Sequence, residues 1–281
     1  MSLLDRIDAC RRWDPGRYRP FSVAGQKVGW VTHDFARRLA EFPRAFRVSD
    51  GAVKVAADLR DFAARSAATA EALEKLRGDG TIKGWRNEPY PVGTDFYAAP
   101  LMQMERAAVP LFGVRAYGVH INGFIGDGAN LKLWVARRSR TKQTAPGKLD
   151  HLVAGGQPLG IGLMDNVVKE CGEEAGMAPA LARTARPAGF VSYVTERVEG
   201  LRNDICFAFD IALPADFKPV NEDGEIEEFY LWPIDQAIAR LTDTDDFKFN
   251  VALVNIDFLV RRGYLSPDTP GYVDIVEGLR L

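Results

Sequence analysis

The 281-residue chain is short of several things, and each shortage removes a class of function. It has three cysteines, Cys10, Cys171 and Cys206, widely spaced and with no CxxC pair. A disulfide framework or a structural zinc site is therefore not expected, and a reducing, cytoplasmic setting is. Its net charge is −2, so no whole-chain basic field exists to hold nucleic acid or an anionic membrane. The longest apolar runs fall far short of a membrane span, and the first ten residues are too charged for a secretory core. No internal repeat, no low-complexity tract and no G-x-G-x-x-G after an early strand is present, which argues against a dinucleotide-binding doubly wound domain. The hydrophobic share of 47% and charged share of 26% are ordinary globular values, so a sizeable core is available.

What the chain does have is concentrated between residues 154 and 177, A-G-G-Q-P-L-G-I-G-L-M-D-N-V-V-K-E-C-G-E-E-A-G-M. The second half has helical spacing between Gly162 and Gly176. At about 100° per residue, Met164, Val168, Cys171 and Ala175 share an apolar stripe with Val167 at its edge. Glu170, Glu173 and Glu174 share another. Like charges at these spacings cost roughly 0.2–0.5 kcal/mol a pair, and the C-terminal half of a helix favours cations. A merely solvated face has no reason to adopt this arrangement, whereas a site for a hard divalent cation does. Three carboxylates within about one turn offer several oxygens, and a carbonyl of the glycine turn can approach because Gly155 and Gly156 carry no side chain.

The rest of the chain supplies a setting. Helices are expected over 3–12, 34–41, 58–77, 234–241 and 247–261, with a short helical pattern in the tail. Strands are expected over 25–33, 115–125, 131–137, 148–154, 188–195, 205–212 and 227–233, and a hairpin over 46–55 around Ser49-Asp50-Gly51. Residues 13–20 read as a turn, and 196–203 as a polar hairpin connection. A strand–strand–strand–loop–helix–strand series gives a mixed sheet covered by helices. Residues 85–92, W-R-N-E-P-Y-P-V, read as an ordered loop. Either Trp85, Arg86 and Tyr90 bind substrate, or the aromatics close a small core and Arg86 pairs with Glu88. Arg137, Arg138, Arg140 and Lys142 form a basic cluster, either a solvated loop or a phosphate-binding patch. His120 and His151 lack any partner spacing for catalysis and read as core or edge residues.

The segment 155–177 resembles the Nudix box, G-x5-E-x7-R-E-U-x-E-E-x-G-U with U apolar, matching best from Lys169 to Met177. The resemblance implies an α/β fold, an α/β/α sandwich with a mixed sheet, preceded by a small α+β domain. The expected division is 1–111 for the latter and 112–281 for the Nudix domain with a C-terminal helical extension. It implies Mg²⁺ or Mn²⁺ held by Glu170, Glu173, Glu174 and the Gly155 carbonyl. Glu173 and Glu174 are then catalytic, with a further acidic residue, Glu225 or Glu222, from the 221–228 loop. Arg137, Arg138, Arg86, Trp85 and Gly156 are the expected substrate contacts. Two positions depart from the box: Ile161 stands for its first glutamate and Lys169 for its arginine. Those two usually brace the loop against the helix; here Lys169 can pair instead with Asp165. Gly176 closes the helix. Further stretches (105–114, 148–156 and 270–272) resemble the subgroup related to the Nudix region of thiamine pyrophosphokinase fusions and plant plastid members. That implies hydrolysis of thiamine diphosphate or its oxidised analogues to the monophosphate and phosphate. The alternatives are nucleoside-diphosphate-linked substrates such as ADP-ribose or dinucleotides, and a non-catalytic ligand sensor, against which the intact E-x-x-E-E argues. The expected partners are the small diphosphate and a second copy of the chain in a homodimer, with no nucleic acid and no membrane.

Overall fold

The computed structural model describes residues 2–142 and 144–280. Helix α1 (Leu3–Asp8) is capped by Ser2 and Asp5 in a reciprocal box. A small four-stranded sheet follows, built from β1 (Tyr18–Val23), β2 (Gln26–Thr32), β3 (Phe46–Val48) and β4 (Val53–Val55), in the order β2-β1-β4-β3. Helices α2 (His33–Leu39) and α3 (Phe62–Gly78) belong to the same part. The expected turn at 13–20 gives way at its end to β1; Pro20 inside it hides the strand pattern, because proline weakens a ladder. β5 (Pro89–Val92) and β6 (Met102–Glu105) make a separate two-stranded ribbon, so half of the expected 85–92 loop is strand. Phe21, Phe46, Leu73, Met102 and Phe112 form the core of this part, Phe112 coming from the short helix α4 (Val109–Phe112).

The larger sheet is centred on β7 (Arg115–Ile125). β12 (Gly200–Ala212) runs parallel to it over ten paired positions, from Asn203↔Arg115 to Ala212↔Phe124. β11 (Arg186–Arg197) is antiparallel to β12, and the two meet in a tight turn at Val198-Glu199, shorter than the connection expected over 196–203. On the other side lies β8 (Lys132–Arg138), bordered by β13 (Ile226–Pro233). The strand expected over 148–154 is two strands. β9 (Leu149–His151) pairs with β8, and β10 (Val153–Gly156) with β7. Leu152, fully buried, marks the crossing between them, a break that a continuous K-L-D-H-L-V-A run conceals.

Helices cover both faces, giving an α/β/α sandwich with a mixed sheet. Helix α5 (Leu163–Ala175), followed by α6 (Pro179–Ala182), buries Val167, Cys171 and Ala175 against Val119, Ile121, Phe209 and Ile211. Val167 is therefore at the centre of the apolar stripe, while Met164 and Val168 flank it. The opposite face is covered by α7 (Ile234–Asp243), α8 (Phe249–Arg261), whose residues Val251 to Leu259 are all buried, and α9 (Tyr272–Gly278). Leu3, Ile7 and Cys10 join this second core, so α1, first in the chain, packs with α8 and α9 rather than on the small sheet.

Candidate active site

Helix α5 begins after Gly162 and ends at Gly176, whose left-handed backbone (φ 59°) is the usual glycine C-terminal stop. Its three glutamates sit at three depths. Glu174 is 4% exposed and accepts a hydrogen bond from the Ala154 amide at 2.8 Å. Burial pushes its carboxyl up to about 8, against the pull of that amide. Glu170 is mostly buried, and burial raises its carboxyl as well, opposed by Lys169. Glu173 lies at the exposed edge, bound to Lys169 at 2.6 Å. Lys169 also reaches Glu170 at 3.2 Å. Its expected partner Asp165 pairs instead with Arg183 at 3.0 Å, because α6 brings that arginine alongside.

The glycine turn is shaped around these groups. A Cβ on Gly155 would fall 2.1 Å from Glu170 Cδ, and one on Gly156 would fall 1.7 Å from the Tyr90 hydroxyl. Tyr90 is buried, and burial pushes its phenol up to about 12. Asn166 donates to the Gly156 carbonyl (2.8 Å) and to Gln157 Oε1 (3.0 Å), and Gln157 Nε2 donates to the Ile161 carbonyl (2.6 Å). These amide bonds brace loop and helix where Ile161 and Lys169 no longer can. The sequence contained both residues, but only the fold shows that they meet.

The acidic loop after β12 closes the site. Carboxylate oxygens of Glu174, Asp223 and Glu225 all lie within 4.8 Å of one another. Among the described residues, Glu170, Glu173 and Glu174 do not converge in this way, since the helix fans them around its axis. Asp223 was not singled out by the sequence; burial raises its carboxyl. Glu222 donates its amide to the Glu173 carbonyl and is exposed beyond Gly176, outside the cluster. Lys142 places its ammonium directly on Glu225, and burial lowers its pKa to about 8 despite Glu174 nearby. The Lys142 ammonium, held among Glu174, Asp223 and Glu225, stands where a cation would sit. The hard oxygen donors fit Mg²⁺ or Mn²⁺.

A cleft of about 1090 Å³, including its open mouth, runs from Gly155, Gly156, Glu170 and Glu225 past Arg86, Arg106 and Lys142. Arg86 lies 3.7 Å from Glu225, not on Glu88, which pairs with Arg106 at 2.8 Å. Of the other expected contacts, Gly156 and Arg138 line the cleft, while Trp85 and Arg137 do not. Trp85 bonds Asn87 at 2.8 Å and carries Arg77 over its ring, packed beside the small-sheet core. Arg137 is held by the Tyr230 hydroxyl and the Gly147 carbonyl, away from the cleft. Arg138 borders the cleft but is buried and paired with Asp150 at 2.7 Å, with further bonds to the Thr144 and Ala145 carbonyls. Around that pair sits a buried polar layer, in which His120 and His151 are core residues as expected. His120 and His151 face each other at 3.1 Å between Nδ1 atoms, and Lys248 lies 3.9 Å from Asp150. Burial would raise Asp150, but Lys248, the His151 hydrogen bond and Arg138 hold it well below the usual carboxylate range. Burial, His151 and Lys248 push His120 well below the usual imidazole range.

A family model described as "Domain of unknown function (DUF4743)" matches residues 2–116. Nudix hydrolase 20, chloroplastic, of Arabidopsis thaliana is 41% identical over 287 residues, covering 98% of this chain and 77% of that protein. Nudix hydrolase 24, chloroplastic, of the same plant is 41% identical over 281 residues, with coverage of 99% and 77%. Among solved structures, DR0079 from Deinococcus radiodurans aligns over 63% of this chain and 100% of its own, at 22% identity and a TM-score of 0.46. With near-complete alignment to the two plant enzymes, the chain belongs to the Nudix hydrolase family and is an enzyme, a Nudix pyrophosphohydrolase.

Proposed function

We propose that the protein hydrolyses the diphosphate linkage of a small organic diphosphate with Mg²⁺ or Mn²⁺. The observation that carries this is the buried Glu174, fixed by the Ala154 amide and converging with Asp223 and Glu225. Glu170 and Glu174 hold the cation from the helix together with the Gly155 carbonyl, and Asp223 and Glu225 from the loop. Glu173 joins only by giving up its pair with Lys169. When bound, the cation neutralises phosphate charge and acidifies water, the two needs of anhydride hydrolysis. Glu225, at the cleft wall, accepts the proton of the attacking water. Arg86, Arg106 and Lys142 border the same cleft and meet the phosphate oxygens.

The finer reading is thiamine diphosphate or an oxidised analogue, giving the monophosphate and phosphate, and it rests on the resemblance of the box and its flanking stretches. ADP-ribose and dinucleotides are the competing substrates. No helix among the described residues is long and apolar enough to cross a membrane. A homodimer is the assembly to look for. Three free, buried cysteines suit a reducing compartment, the cytoplasm on this reading; the two Arabidopsis relatives are named as chloroplastic. The test is a panel of thiamine diphosphate, its oxo and oxy forms, ADP-ribose, NADH and nucleoside triphosphates, with Mg²⁺ or Mn²⁺, read as released monophosphate. Turnover of a thiamine compound, lost in Glu174→Gln, is expected. Turnover of dinucleotides alone would remove the thiamine reading, and no turnover of any compound would remove the hydrolytic one.

A further inference from the structure

The loss of the box glutamate at Ile161 has a structural counterpart. Ile161 lines a second cavity of about 540 Å³, open mouth included, between the loop 157–161 and the segment 93–100 that joins β5 to β6. Phe96, Pro100, Tyr117 and Leu159 also line it. Asp95 lines the cavity too, so a glutamate at 161 would add a second carboxylate beside these rings. Phe96 leaves the small domain to pack edge-on against Tyr117 (4.8 Å, 60°) and Phe207 (5.0 Å, 62°) of the large sheet. Tyr97 beside it is 86% exposed. The cavity adjoins the diphosphate cleft. Tyr117 lines both, Gly156 lines the cleft and Gln157 the cavity, and the Gln157 amide donates to the Tyr117 carbonyl at 2.9 Å. One ribbon serves both spaces: β5 sends Tyr90 to the glycine turn, and the β5–β6 connection sends Phe96 to the cavity.

We propose that this cavity is the specificity subsite for a flat aromatic ring carried by the diphosphate substrate, with Phe96 and Ile161 as its selecting residues. The proposal rests on the hydrolase reading for the identity of the ligand. Aromatic rings and a β-branched side chain offer face and edge contacts that a phosphate would not use, and selection by such a pocket is a ratio between ligands.

The experiment measures calorimetric affinity, with Ca²⁺ replacing Mg²⁺ to limit turnover, for thiamine diphosphate, phenethyl diphosphate and methyl diphosphate. Hydrolysis rates with Mg²⁺ are measured in parallel. The parent is expected to bind both ring-bearing compounds at least about tenfold more tightly than methyl diphosphate. Phe96→Ala and Ile161→Glu, which lie on different segments, should each reduce that ratio about tenfold, and Phe96→Tyr should restore it. A ratio unchanged in Ile161→Glu, or a loss shared equally by ring-bearing and ring-free ligands, would overturn the subsite. Ring-dependent binding without hydrolysis of any compound would overturn the hydrolase reading and leave the subsite standing.

Discussion

Gly155→Ala tests the placement of Glu170 under the glycine turn. The added Cβ would sit 2.1 Å from Cδ, 2.4 Å from Cγ and 2.5 Å from Oε2 of Glu170. Ordinary contact begins near 3.4 Å, so the carboxyl must retreat by about 1.3 Å, and a misplacement of about 1 Å in a reacting constellation costs about 100-fold in rate. The backbone of Gly155 is bonded to β7 and cannot follow. Overpacking adds about 1–3 kcal/mol of lost stability. The control is Gly172→Ala in α5, the helix that carries Glu170, where the nearest atom to a new Cβ is the Met177 carbonyl at 4.0 Å. That change should stabilise by about 0.5–1 kcal/mol. The assay is kcat/KM under saturating Mg²⁺, with urea unfolding for both variants. Gly155→Ala is expected to lose about 100-fold in kcat/KM while remaining folded. Full activity in folded Gly155→Ala would refute the contact between turn and carboxylate as a requirement of the site.

Two further predictions concern the buried polar layer. Arg138→Ala removes the 2.7 Å ion pair from the buried Asp150, so a loss of about 3–5 kcal/mol in urea unfolding is expected; a loss below about 1 kcal/mol would show that the pair is not structural. His120 is held below its usual pKa when folded, so the unfolded chain binds its proton first as pH falls. Its stability contribution is complete above about 6.5 and is lost below it, by up to about 1.4 kcal/mol per pH unit. Unfolding free energies at several pH values should therefore show a shallower acid-side loss in His120→Asn than in the parent, and parallel curves would contradict the burial of a neutral imidazole.

The order of strands and helices was legible because hydrophobic period and turn residues agree over most of the chain. Strand β7 and helices α7 and α8 follow directly from their patterns. What stayed hidden depends on partners distant in sequence. The break at Leu152 is a choice between β7 and β8, which no local pattern encodes. Glu170, Glu173 and Glu174 share one helix, yet their depths differ because α5 turns Glu174 towards the Ala154 amide and Glu173 towards solvent. Arginines carry no label for role: Arg138 borders the cleft, and its pair with Asp150, twelve residues on, is visible only in the fold. Asn166 and Gln157 read as ordinary polar residues until the loop folds back and makes them the brace.

The central claim is that Glu174, with Asp223 and Glu225, forms a site for a hard divalent cation. Mn²⁺ titration followed by electron paramagnetic resonance measures it without any assumption about substrate. The parent should take up Mn²⁺ in a defined stoichiometry, displaced by Mg²⁺, and Glu174→Gln should weaken that binding by at least about tenfold. Equal Mn²⁺ affinity in the parent and in folded Glu174→Gln would contradict it.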